Sequence, residues 1–129
     1  MRDVLAVLAG GLVGTGLRLG LDSVLPHEGF AVSTLVANTV GALALGMLVA
    51  RLWDRVPSWL RAGLGAGLLG SFTTFSALAV ALVSLGAAGD WMPALAYLVA
   101  TMALGLGAAW LGLRIGRPRA TAPLDLVDE

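Results

Sequence analysis

An all-α integral membrane protein with four transmembrane helices is the fold class that this sequence predicts, and three observations predict it. Of the 129 residues, 58% are hydrophobic and 12% are charged, against about 45–50% and about 25% in soluble domains. Mean hydropathy is +0.91, and a water-soluble fold of this size could not hide so much apolar surface. The apolar residues fall into long runs separated by short polar breaks, and each run approaches or exceeds the ~20 residues that a spanning helix needs.

Taken in order, the runs place spans at about 3–25, 30–52, 60–88 and 91–114. They form one membrane domain over 1–116, followed at 117–129 by a short tail with no expected fold. In the first run Val4 to Leu17 is uncharged, Arg18 interrupts, and the pattern resumes to Leu21. Arg2 before an apolar stretch has the look of a signal peptide, but the run continues past Arg18 and three more follow, so it reads as a span. The second run, Gly29 to Ala50, carries no charge, and neither does the third, Ala62 to Gly89. The third is longer than one straight crossing requires. The fourth covers Trp91 to Leu113. The polar breaks are Asp22 to Glu28, Arg51 to Arg61, and a short turn from Gly86 to Pro93, with Trp53, Trp59 and Trp91 at run ends where an aromatic belt sits.

Composition excludes several function classes. All eight basic residues are arginine and they form no patch suited to nucleic acid. There is no cysteine, hence no disulfide, thiolate metal site or cysteine nucleophile, and the single histidine, His27, makes no cluster. Nothing here points to an enzyme. Glycines recur four apart at Gly10/Gly14, Gly16/Gly20, Gly63/Gly67 and Gly112/Gly116. This spacing lets helix backbones approach closely where lipid provides no hydrophobic drive to associate. Four short helices can hardly enclose a pathway alone, so a second subunit is expected.

A few polar residues lie where the bilayer makes them expensive. Asn38, near the middle of the second span, has two donors and an acceptor that need partners. It is either interhelical glue, worth roughly 0.6–2 kcal/mol, or a donor facing a pore. The third span contains Gly70-Ser71-Phe72-Thr73-Thr74-Phe75-Ser76, a density of hydroxyls that back-bonding to one helix explains poorly. A broken helix is expected there, which is tolerated only where it is buried in protein or faces a polar cavity. Freed carbonyls at such a break suit cations, and half-helix N-termini suit anions. Tyr97 and Thr101 share a face of the fourth span that continues to Gly105, consistent with packing or with a polar track. Arg18 has three readings: snorkelling to the interface, binding a polar loop, or binding an anion. Asp3, Asp22, Asp54 and Asp90 all sit at run edges. A proton-coupled exporter usually needs an embedded carboxylate, so passive conduction is favoured over a small multidrug-type exporter.

Together these positions resemble the Fluc (CrcB) family of fluoride channels, over nearly the whole chain from Gly14-Thr-Gly-Leu-Arg18 to the fourth span. The most specific part is Gly70 to Ser76, which resembles the family's Gly-Gly-x-Thr-Thr-Phe-Ser-Thr-Phe element; Ser33 to Gly41 resembles its asparagine motif. The resemblance implies an antiparallel, dual-topology dimer with two fluoride pathways. It also implies a structural sodium ion held by the backbone carbonyls of Gly70 and Thr73. Asn38 matches the pore asparagine and Phe75 the first of two pore phenylalanines, with Thr74, Ser76, Tyr97 and Thr101 along the pathway. Fluoride is small and strongly hydrated, so amide and hydroxyl donors and the positive edge of an aromatic ring must replace its water. Three positions depart from the pattern: Leu78 stands where the second phenylalanine is expected, Ala81 where a glutamate is, and Gly105 where a serine of the polar track is.

Charge bears on orientation. Arg2, Arg51, Arg55, Arg61, Arg114, Arg117 and Arg119 fall on one side of the alternating spans, and Arg18 on the other. Such a bias should fix both termini in the cytoplasm of a cell-membrane protein. An antiparallel partner would then be a paralogue of reversed bias rather than an identical copy, and this chain could even be the non-conducting subunit of that pair.

Overall fold

The computed structural model describes residues 1–25 and 31–117. His27, Glu28 and the tail from residue 118, including Arg119, lie outside the described residues. The described chain is helical throughout: α1 (Arg2–Val24), α2 (Val32–Arg51), α3 (Ser58–Ala62), a π-helical segment (Gly63–Leu69), α4 (Gly70–Phe72), α5 (Ser76–Ala87) and α6 (Trp91–Gly116). Four spans are long and apolar enough to cross a membrane, at Arg2–Val24, Val32–Arg51, Ser58–Ala87 and Trp91–Gly116. This is a multi-pass membrane protein. Large apolar side chains such as Leu12, Val83 and Leu106 stand exposed on its surface, as a lipid-facing surface allows.

Since lipid is as apolar as leucine, close packing must hold the helices together. The most extensive contact is between α2 and α6, and the next is between α1 and the π-helical segment. Both seams are made by glycine. A Cβ on Gly46 would fall on the Ala109 carbonyl oxygen, and one on Gly112 on the Leu43 carbonyl oxygen. Gly10 and Gly14 of α1 meet the carbonyls of Gly63 and Leu68 in the same way, while Gly67 would place a Cβ 2.7 Å from the Val7 oxygen. Gly16 and Gly20 meet nothing within 4 Å, so of the glycine pairs seen in the sequence this one makes no seam within the chain.

Two features were not foreseen. The third span runs in the i→i+5 register over Gly63–Leu69, which takes up an extra residue and turns everything after it relative to α1; such bulges recur at functional sites. The first span, expected over about 3–25, is helical from Arg2 to Val24, so its last turn takes in Asp22, the first residue of the expected polar break. Arg18 and Asp22, one turn apart, pair at 3.2 Å and keep that last turn helical. Asp22 therefore belongs to the helix and not to the loop. The last connection is tight: α5 ends at Ala87, Gly89 turns the chain at φ +83°, and Pro93 sits in the first turn of α6, where a missing N–H does no harm.

Candidate functional site

The third span loses its helix at residues 73–75, between α4 and α5. Thr73 swings out to φ −84°, ψ 159°, and the side chain that holds this opening comes from another helix. Asn38 of α2 binds the backbone of one residue, Thr74, on both sides of its Cα. Its Nδ2 donates to the Thr74 carbonyl at 2.9 Å, and its Oδ1 accepts from the Thr74 N–H at 2.8 Å. The amide thereby replaces the backbone partners that a continuous helix would have supplied. Thr74 in turn caps α5: its Oγ1 accepts the Ala77 N–H at 3.3 Å and lies 3.0 Å from Ser76 Oγ. Thr73 turns its hydroxyl back to the Leu69 carbonyl at 2.9 Å.

Freed carbonyls follow from this exchange. In an uninterrupted helix the Gly70 carbonyl would accept from Thr74 N–H, and the Thr73 carbonyl from Ala77 N–H. Asn38 has taken the first donor and the Thr74 hydroxyl the second. Among the described residues no other donor reaches either oxygen. Two unpaired carbonyls a short distance from an apolar surround are hard oxygen ligands of the kind sodium takes at broken helices. The residues present fit such an ion by donor chemistry, and no cluster of three His, Cys, Asp or Glu competes for it among the described residues.

Three open clefts surround the break. Asn38, Gly70 and Thr73 line one of about 280 Å³ together with Gly41 and Leu69. A second, of about 350 Å³, has Asn38, Thr74, Phe75, Leu78, Thr101 and Gly105 in its wall. The third is a vestibule of about 620 Å³ with Arg18, Asp22, Thr34, Ser76, Ala81 and Ser84 among its lining. The structure thus gathers Asn38, Gly70, Thr73, Thr74, Phe75 and Thr101 around one point, with Arg18 and Ser76 on the vestibule side.

The available donors are few. Tyr97 donates its hydroxyl hydrogen to the Ala31 carbonyl at 3.0 Å, and Thr101 donates to the Tyr97 carbonyl at 2.8 Å. Tyr97 is fully buried and acts as a strut between α6 and the start of α2. Thr74 and Ser76 hold two hydroxyl hydrogens between them and use one for their own contact, which leaves one to offer outward. The Phe75 ring is 78% exposed at the tip of the break, its edge available to an anion. Of the departed positions, Leu78 is 2% exposed and lines the same cleft as Gly105, while Ala81 faces the vestibule. Arg18 does not snorkel. Its Nη2 donates to Thr34 Oγ1 at 3.0 Å, its Nη1 to the Phe72 carbonyl at 3.5 Å, and its Nε to Asp22.

A profile of the family described as CrcB-like protein, Camphor Resistance (CrcB) matches residues 5–113. The chain belongs to this family. Relatives in the CrcB-like family include a protein of Oceanobacillus iheyensis named fluoride-specific ion channel FluC, 37% identical over 121 residues, covering 89% of this chain and 92% of that protein. A Paracoccus denitrificans protein of the same name is 38% identical over 115 residues, 88% of this chain and 93% of that one. One of Symbiobacterium thermophilum, named fluoride-specific ion channel FluC 2, is 41% identical over 115 residues, 84% of this chain and 93% of its own length. The match within the CrcB-like family takes in the break, the asparagine that holds it and both glycine seams.

Sequence reasoning had Asn38 as a donor facing a pore or as glue. In the chain its Oδ1 and one Nδ2 hydrogen go to Thr74, a use that no motif spacing reveals, and the second Nδ2 hydrogen remains as a donor. It also passed over Asp22, the partner of Arg18; the i,i+4 spacing of opposite charges was the available signal.

Proposed function

We propose that this chain is a subunit of a fluoride channel that lets fluoride leave the cytoplasm passively and so lowers its toxicity. The observation that carries the reading is the broken third span held open by Asn38, with one hydroxyl hydrogen of the Thr74–Ser76 pair and the exposed Phe75 edge beside the break. Fluoride stripped of water needs such donors in an otherwise apolar passage. Membership in the CrcB-like family and the fluoride-specific names of its relatives support the substrate. Among the described residues no span carries a carboxylate away from its ends, and Asp22 near one end is ion-paired to Arg18, which supports passive flow over coupled export.

The carbonyls of Gly70 and Thr73 would hold a structural sodium ion, whose charge would rigidify the break. Two carbonyls from one chain undersupply an ion, and a second subunit related by a two-fold axis doubles the set. The resemblance to the Fluc family favours an antiparallel arrangement of that dimer in the cell membrane. The six described arginines on one side of the spans favour cytoplasmic termini and hence an oppositely oriented paralogue as partner. The "FluC 2" name carried by a relative is in keeping with paired genes. Leu78 and Gly105 favour a second reading beside this one, in which the chain's own track conducts poorly and the partner supplies the working pathway.

Fluoride efflux from liposomes tests both. Flux from this chain alone establishes a conducting homomer. Flux only on co-reconstitution with a paralogue establishes the heteromer. No flux in either case, from protein shown to be folded and inserted, sinks the proposal.

A further inference from the structure

The vestibule beside the break is the largest of the three clefts, and its described lining contains two charged side chains, Arg18 and Asp22. The rest of the wall is hydroxyl-bearing or apolar. The arginine is 14% exposed and the aspartate 29%. The guanidinium is pinned from three directions by Asp22, Thr34 and the Phe72 carbonyl, so it cannot swing away from the break. An anion entering the vestibule meets this fixed positive head, and next to it a carboxylate on the more open side that offsets its charge. A pinned arginine without a counter-charge would focus anions into the cleft; the pair presents them only a dipole.

We propose that Asp22 sets the anion affinity of the vestibule by cancelling the charge of Arg18, and so determines how strongly small anions are drawn toward the break. The role in throughput rests on the channel reading above; the electrostatic role does not. Asp22→Asn removes the charge while keeping a side-chain oxygen that can still accept from Arg18 Nε, and the Thr34 and Phe72 contacts hold the guanidinium in place.

The chain has no cysteine, and Ser84 is an exposed member of the vestibule wall. Ser84→Cys therefore provides a single thiol inside the cleft. In reconstituted full-length protein, its rates of modification by an anionic sulfonatoethyl and a cationic trimethylammonium-ethyl methanethiosulfonate report the local potential. Adding Asp22→Asn should raise the anionic-to-cationic rate ratio about tenfold at low salt, the lower end of what charge-lined clefts give, and about 1 M salt should erase the rise. Asp22→Ser must give the same rise, and Asp22→Glu must not. An unchanged ratio in both uncharged variants overturns the proposal. In the same liposomes, Asp22→Asn should raise fluoride efflux at sub-saturating fluoride and leave the saturated rate unchanged. An absence of flux from the parent protein would count against the channel reading, while the thiol ratio would still decide the role of Asp22.

Discussion

Replacing Asn38 by alanine removes the clamp on the break and should collapse function without unfolding the protein. The side chain makes two hydrogen bonds to the backbone of one residue, Thr74, at 2.9 and 2.8 Å. Truncation leaves the Thr74 N–H and C=O without partners in a half-buried setting, at about 1–3 kcal/mol for each unsatisfied group. Part of this is recoverable, because the freed N–H can turn back to the Gly70 carbonyl and extend α4 by a residue. That relief closes the break and occupies one of the two free carbonyls. A net shift of about 2–3 kcal/mol against the open geometry is expected, a roughly 30- to 140-fold drop in the open-to-closed ratio at 1.4 kcal/mol per decade. Fluoride efflux in liposomes should fall by the same order. The Thr74 amide should pass from Asn38 to the Gly70 carbonyl and shift its NMR resonance, while the amides of α2 and α6 keep theirs. Wild-type flux together with an unchanged Thr74 amide would refute the claim that Asn38 holds the break.

Three further outcomes are expected. Thr74→Val should lose the bond to the Ala77 N–H, lower stability by about 1 kcal/mol as lost helix caps do, and cut flux, whereas Thr74→Ser should retain most of both; thermal unfolding in detergent and liposome efflux check this. Phe75→Leu should leave the unfolding temperature nearly unchanged, since the ring is 78% exposed, yet reduce fluoride efflux at least tenfold by removing the aromatic edge. Gly46→Ala should shift α2 off α6, because its Cβ would fall on the Ala109 carbonyl oxygen. An overpacked contact of this kind typically destabilises by about 1–3 kcal/mol. Gly16→Ala, with nothing within 4 Å, should not destabilise and should gain up to about 1 kcal/mol of helix propensity in the isolated chain, as a pair of unfolding curves will show.

The four spans were legible in the sequence because the bilayer imposes a length and a composition on any crossing segment, and both are local properties of the chain. The boundaries expected at 91–114 and observed at Trp91–Gly116 differ by two residues for that reason. Gly70 to Ser76 marked the site in the same way: clustered threonines, serines and a glycine are costly in an apolar run wherever the chain goes. What the sequence could not determine is how each polar group is satisfied, because partners are chosen by packing. Asn38 and Thr74 are 36 residues apart, and whether the amide faced a pore, a neighbour or the break depended on how α2 lies against α4. The spending of the Tyr97 and Thr101 hydroxyls within the chain, the i→i+5 stretch that re-aims the third span, and the capture of Arg18 by Asp22, Thr34 and Phe72 belong to the same class. Hydrogen bonds and close backbone approaches are short-ranged and directional, so only the tertiary structure, bringing distant segments within about 3 Å, could decide which donors were used up and which carbonyls were left free.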